Sequence, residues 1–185
     1  MKFKNLALLL LITFSTITVY GNNISTDPIN DKKKEKAKET IVGVAASNDN
    51  FTTLVAAVKA ANLVDVLNGD GPFTVFAPTN DAFGKLPEGT VYSLLKPENK
   101  KILTAVLTYH VVAGKFDAKA VVKAIKANNG KFVIKTVQGN SLTAMIKDGN
   151  VLLKDAKGNV SKVIMTDVEA SNGIIHAIDT VVMPQ

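Results

Sequence analysis

A chain of 185 residues, 46% apolar, can build one domain with a real hydrophobic core and is too apolar to be disordered throughout. It has no cysteine, which excludes a disulfide framework, a thiolate metal site, a cysteine nucleophile and a lipidated N-terminal cysteine. All 22 basic residues are lysine; with no arginine for forked phosphate recognition, the formal charge of +6 speaks for solubility first, with affinity for acidic polysaccharide or an anionic cell surface as the sharper alternative.

Residues 1–21 read as a secretory signal peptide. Lys2 and Lys4 form a positive head, Leu6 to Ile12 is a compact apolar stretch, and Val19-Tyr20-Gly21 offers a cleavage site. A membrane anchor is the competing reading, but Thr13, Ser15, Thr16 and Thr18 break a run that is already short for a span of about 20 residues. Residues 22–38 form a polar linker. Its run Lys32-Lys33-Lys34-Glu35-Lys36-Ala37-Lys38 has no apolar face and reads as a solvated tether ahead of a polyanion-binding tail. A single folded domain is expected over residues 39–185.

Within that domain, Phe51, Leu54, Val55 and Val58 recur at helical spacing and predict a helix from Phe51 to Ala61. Leu63 to Leu67 predicts a helical turn, ended by Asn68-Gly69-Asp70-Gly71-Pro72. Phe73 to Phe76 predicts a strand, halted at Pro78, after which Thr79 can cap a turn holding Ala82 and Phe83. Pro97 suits the start of a helix reaching Tyr109, with Ile102, Leu103, Val106 and His110 on one flank. A further helix is expected from Asp117 to Ala127. Beyond it the pattern turns to strands at residues 132–137, 141–147, 150–154, 160–166 and 174–183, separated by Gly-Asn and Asp-Gly turns. Helix-rich and strand-rich regions are partly segregated, which predicts an α+β fold rather than alternating βαβ units.

Catalytic chemistry finds little to work with. The two histidines, His110 and His176, sit in apolar surroundings and read as hydrogen-bonded core residues; a zinc site would need a carboxylate such as Asp167 or Asp179 as third ligand, and no metal-binding spacing is present. Ser171, His176 and Asp179 form a triad on paper only, without a Gly-x-Ser-x-Gly elbow. Phosphate-binding glycine loops and the Arg and aromatic pattern of nucleic-acid readers are missing. No catalytic residue, metal or cofactor is expected. The remaining candidate is the polar segment 166–173, which carries Asp167 and Glu169 and reads as an exposed connection between two apolar strands.

Three separated strings carry a resemblance. Thr74-Val75-Phe76-Ala77-Pro78-Thr79-Asn80-Asp81-Ala82-Phe83, then Tyr109-His110, then Asn172-Gly173-Ile174-Ile175-His176-Ala177-Ile178-Asp179 together resemble the two boxes and the central Tyr-His pair of the fasciclin-like domain. The resemblance spans nearly all of residues 39–185. It implies a wedge or sandwich of about seven strands packed against several helices. It implies an exported, non-enzymatic adhesion module, in the periplasm, on the surface or in the medium, binding extracellular matrix, a cell-surface protein or a polysaccharide. Some relatives instead carry a small hydrophobic ligand, which is the alternative function. In relatives an Asp-Ile pair just before the second box is implicated in integrin-type recognition. The matching positions are Asp167-Val168, which with Glu169 form the expected partner-binding site. Thr74, Phe76, Pro78, Asn80, Phe83, Tyr109, His110, Asn172, Gly173, His176 and Asp179 are expected to support the fold. On that division, Asp167→Ala should leave stability nearly unchanged.

Overall fold

The computed structural model describes residues 39–185. The expected signal peptide and linker lie outside the described residues. Seven strands among the described residues form one sheet in the order β2-β1-β7-β6-β5-β4-β3. They are β1 (Phe73–Pro78), β2 (Val111–Ala113), β3 (Lys131–Lys135), β4 (Ser141–Lys147), β5 (Asn150–Lys154), β6 (Val160–Ala170) and β7 (Gly173–Ile178). The β1–β7 pair is parallel and every other pairing is antiparallel. The two ends of the sheet bend towards each other: the Val137 N–H, just past β3, donates to the Val111 carbonyl of β2 at 2.8 Å. The result is the α+β wedge expected from the sequence.

Two cores flank the central strands. Val75, Ala77, Ile175 and Ala177 face helices α1 (Ile41–Ala46), α2 (Thr52–Ala60), α3 (Val64–Leu67), α4 (Asn80–Gly84) and α6 (Lys100–Tyr109), meeting Ile41, Leu54, Val58, Phe83, Leu103 and Leu107. Phe76 and Ile178 face the opposite way, into the fold of the sheet. There they pack with Tyr109, Ile134, Leu142 and Leu153 and with Val121 and Ile125 of α7 (Ala118–Ala127). Every residue of β7 is therefore buried, which is why its string has no polar alternation. A short helix α5 (Thr90–Leu94) completes the set.

Several elements depart from the sequence reading. Helices α1 and α5 were not anticipated. The helix expected from Pro97 begins with a tight turn over Pro97–Asn99, and Ile102, assigned to its buried flank, is 55% exposed. Strand β6 continues through the presumed connection to Ala170, while β7 stops at Ile178. After Ile178 the chain leaves the sheet, yet Val181 and Val182 remain buried. No helix among the described residues is long and apolar enough to cross a membrane.

Candidate functional site

The motif residues act as a frame of hydrogen bonds around the β1–β7 pair. Asn172 uses its whole amide: Oδ1 accepts from the Ile41 N–H at 2.9 Å, and Nδ2 donates to the carbonyls of Leu67 at 2.7 Å and Gly69 at 3.0 Å. It thereby ties the β6–β7 turn to the start of α1 and the end of α3. A Cβ on Gly173 would strike the Phe73 carbonyl oxygen and the Ile41 Cδ1, so this close strand approach demands glycine. Asn80 caps α2 from a distance. Its Oδ1 accepts from the Thr53 N–H at 3.0 Å and the Thr52 hydroxyl at 3.1 Å, and its Nδ2 donates to the Asp49 carbonyl at 2.7 Å. Pro78 ends β1, and Thr79 caps the turn that buries Phe83.

Both imidazoles are committed. His110 is 2% exposed; its Nδ1–H donates to the Val106 carbonyl at 2.8 Å, and its Nε2 accepts from the Val182 N–H at 3.3 Å. Burial lowers its pKa to about 4, so the ring is neutral at ordinary pH. His176 stacks on Phe76 with ring centroids 5.7 Å apart. Its Nδ1 accepts from the Asp167 N–H at 3.3 Å, leaving Nε2–H to donate to the Phe116 carbonyl at 2.8 Å. Neither ring keeps a free lone pair for a metal or for a serine proton. Ser171 and Asp179 are not partners of His176, so the paper triad is not assembled.

Tyr109 reaches across the wedge, donating to the Ser141 carbonyl at 2.8 Å and accepting from the Ala156 N–H at 3.1 Å. Burial, aided by the Asp155 carboxylate, raises its pKa, against the opposing Ala156 N–H. Asp179 accepts from the Lys162 N–H at 2.8 Å and pairs with Lys85 at 3.1 Å. Partial burial works to raise its pKa, but the Lys162 N–H and the Lys85 ammonium outweigh that and hold it below the usual range. Asp155 escaped the sequence reading. It is 5% exposed, accepts from the N–H groups of Lys157 and Asn159, and holds the segment after β7 through the Met183 N–H at 3.0 Å. The Asp-Ala-Lys-Gly-Asn run announced the turn; its tie to Met183 carried no local signal.

The acidic segment has a definite geometry. The β6–β7 register slips between Val163 and Met165 and again between Met165 and Val168. Within this irregularity Asp167 adopts φ +60°, a left-handed conformation that Asp and Asn tolerate better than most residues. The slip breaks the strand alternation, so Ile164, Met165, Thr166 and Asp167 are all exposed in succession. Val168 turns inward, half-buried against the helical core. Glu169 is exposed, 3.9 Å from the Lys115 ammonium. The Asp167 carboxylate accepts from the Ala118 N–H at 2.8 Å, and Asp117 accepts from the Ala120 N–H at 2.6 Å. Asp117 is thus the N-cap of α7, and Asp167 adds a second carboxylate on its first N–H, where an anion is also favoured by the helix dipole. That bond argues against the expectation that its removal is neutral for stability. Thr74 completes the support, donating to the Gly114 carbonyl at 2.7 Å and accepting from the Phe116 N–H at 2.9 Å. Thr74, His176 and Asp167 thus hold the connection from β2 to α7 at three successive points.

An apolar cavity between the helices and β1–β7, lined by Ile41, Leu54, Val58, Val75 and Leu107 among others, measures about 30 Å³. That is the room of a single water and gives the ligand-carrier alternative no support.

Comparison with known proteins agrees with this architecture. The chain is 54% identical over 145 residues to Protein sll1483 of Synechocystis, covering 78% of this chain and 73% of that one. It is 43% identical over 149 residues to immunogenic protein MPB70 of Mycobacterium bovis, covering 77% and 68%. Among solved structures, the FAS1 domain pair of the insect cell adhesion molecule fasciclin I superposes with a TM-score of 0.70 at 21% identity, over 80% of this chain and 51% of that one. Residues 49–184 match the model of the Fasciclin domain, and the chain belongs to that family.

Proposed function

We propose that the protein is an exported, non-enzymatic adhesion module that contacts an extracellular or cell-surface protein through the irregular part of β6. The observation that carries this reading is the run of exposed side chains at the register slip. Ile164 and Met165, 52% and 44% exposed, are followed along the strand by exposed Asp167 and by Glu169, which pairs with Lys115, so apolar and acidic side chains are displayed together in one irregular stretch. Irregularities of this kind re-aim side chains, and contiguous exposed apolar residues mark contact surfaces. The signal-like residues 1–21 and the adhesion role of fasciclin I support export and adhesion. Both histidines are occupied by backbone partners, which supports a non-enzymatic role.

The test is saturable binding of the full chain to intact cells of its source and to their surface protein fraction. Asp167→Asn and the pair Ile164→Thr with Met165→Thr are run alongside. Asparagine keeps both the bond to the Ala118 N–H and the left-handed backbone while removing the charge. Each variant is expected to weaken binding by about tenfold, an ordinary hot-spot effect. Equal binding by all variants, or no binding by the parent, refutes the site.

A further inference from the structure

The outer face of strands β3 to β6 carries a second feature, which adjoins the slip in β6 at Lys162 and Ile164 but does not depend on the reading built on it. The inward positions are Ile134, Leu142, Ala144, Leu153 and Ser161, all buried. Alternation then places Lys131, Lys135, Lys147, Lys154 and Lys162 on the outer face, and all five are exposed. The register puts Lys131, Met145, Leu152 and Lys162 in one row across the four strands, with Val133, Thr143, Lys154 and Val160 in the next. No Asp or Glu occupies an outward position in those rows, and none of the five lysines forms an ion pair among the described residues.

This is a segregation of charge. Residues 39–185 hold fifteen lysines and thirteen acids; with these five set apart, ten lysines face thirteen acids over the rest. Strand spacing of about 4.8 Å sets Lys131 and Lys162 about 14 Å apart, and Lys131 and Lys135 are separated by about 13 Å along the strand. Diagonal neighbours such as Lys131 and Lys147, or Lys154 and Lys162, stand closer, about 8 Å apart and within the screening length at physiological salt, so they repel one another in solution and one extended anion that spans them relieves that repulsion. The side chains between them are short or aliphatic. No aromatic residue stands in either row to stack a base or to wedge into a bilayer, and no arginine exists to fork onto phosphate.

We infer that the outer face of β3–β6 binds a linear acidic polysaccharide, its carboxylate or sulfate groups paired with Lys131, Lys135, Lys147, Lys154 and Lys162. A lysine lattice on a hydrogen-bonded sheet suits a flexible polyanion that adapts to it. Binding through it is electrostatic and weakens steeply with salt.

The experiment uses the full chain against immobilised alginate and dextran sulfate, with neutral dextran, anionic phosphatidylserine vesicles and a single-stranded oligonucleotide as comparators. Two charge-matched triple variants are tested: Lys131→Gln, Lys154→Gln, Lys162→Gln on the sheet face, and Lys119→Gln, Lys123→Gln, Lys126→Gln on α7. Thermal melts confirm that both fold. Expected is salt-dependent binding to the two acidic polymers, lost by about tenfold or more in the sheet variant and by less than about threefold in the α7 variant. Equal losses in the two variants, retention of parent affinity in the sheet variant, or no binding to either polymer overturns the inference. Tighter binding to vesicles or to the oligonucleotide than to the polymers also overturns it, in favour of a membrane or nucleic-acid surface.

Discussion

The parallel β1–β7 pair and the antiparallel β3–β6 sheet belong to one sheet but answer to different constraints. The first is buried on both faces, and its neighbours are held by single side chains with every bond in use, as at Asn172 and His176. The second is buried on one face, and its outer residues touch solvent. Recognisable motif strings concentrate in the first because close backbone approach and buried amides leave few residue choices. The second accepts almost any polar or aliphatic residue, so an orderly charge pattern there is not imposed by folding.

The sharpest break of this contrast is Gly173→Ala. The added methyl meets the Phe73 carbonyl and Ile41, and neither can yield without parting β1 from β7. A loss above about 4 kcal/mol is expected, read from the urea midpoint at unchanged slope. A loss below about 1 kcal/mol would show that the pair can separate cheaply.

Next in size is a pH effect seated in the same region. His110 is held near pKa 4 in the folded state by burial, against about 6.5 when unfolded. Between those values the unfolded chain binds a proton that the folded chain refuses. Stability is therefore full above about pH 6.5 and falls, by about 3 kcal/mol, as pH descends through 4. Asp179, with its carboxyl lowered, adds a further loss only below the ordinary carboxylate range. Urea titrations at about pH 7 and about pH 4 measure the step, and His110→Gln should abolish most of it. A parent curve flat across that interval would mean that the His110 ring is solvated.

Asn172→Ala comes third. It leaves the Ile41 N–H and the Leu67 and Gly69 carbonyls without their partner. About 2 kcal/mol is expected, because these groups are only part-buried and water can reach some of them. Hydrogen exchange should quicken in α1 before it quickens in β7. Uniform quickening would show that the amide supports the whole domain rather than one joint.

How much of this could be read from the chain follows the same division. The β1 and β7 strings, the Tyr109-His110 pair and the turns after Lys135 and Lys147 were legible, since each is set by local chemistry or by a distinctive string. The slip in β6 was not. Val160 to Ala170 has no Gly, Pro or Asn to announce a break, and the irregularity at Asp167 is visible only once β7 supplies the register. Asp155 was hidden because its important partner, Met183, lies 28 residues away. Ile102 misled because the apolar stripe of α6 is wider than its buried face. The lysine face needed register as well: alternation shows Lys131 and Lys135 on one side of a strand, but not that the neighbouring strands add no acid there.

The smallest effect separates support from display at one residue. Asp167 belongs to both, since its carboxylate holds the first N–H of α7 while its backbone stands in the exposed run of β6. Asp167→Ala leaves the Asp117 N-cap in place but removes the bond to the Ala118 N–H and puts alanine at φ +60° without a polar side chain to stabilise it, for an expected cost of about 1–2 kcal/mol. Asp167→Asn keeps an oxygen for the Ala118 N–H and tolerates the left-handed backbone, so its cost should stay within about 0.5 kcal/mol. Urea denaturation of both variants, set beside their cell binding, decides the matter. If asparagine preserves stability and binding falls, the charge itself meets the partner. If asparagine preserves both, Asp167 serves α7 alone, and the contact surface contracts to the apolar side chains of Ile164 and Met165.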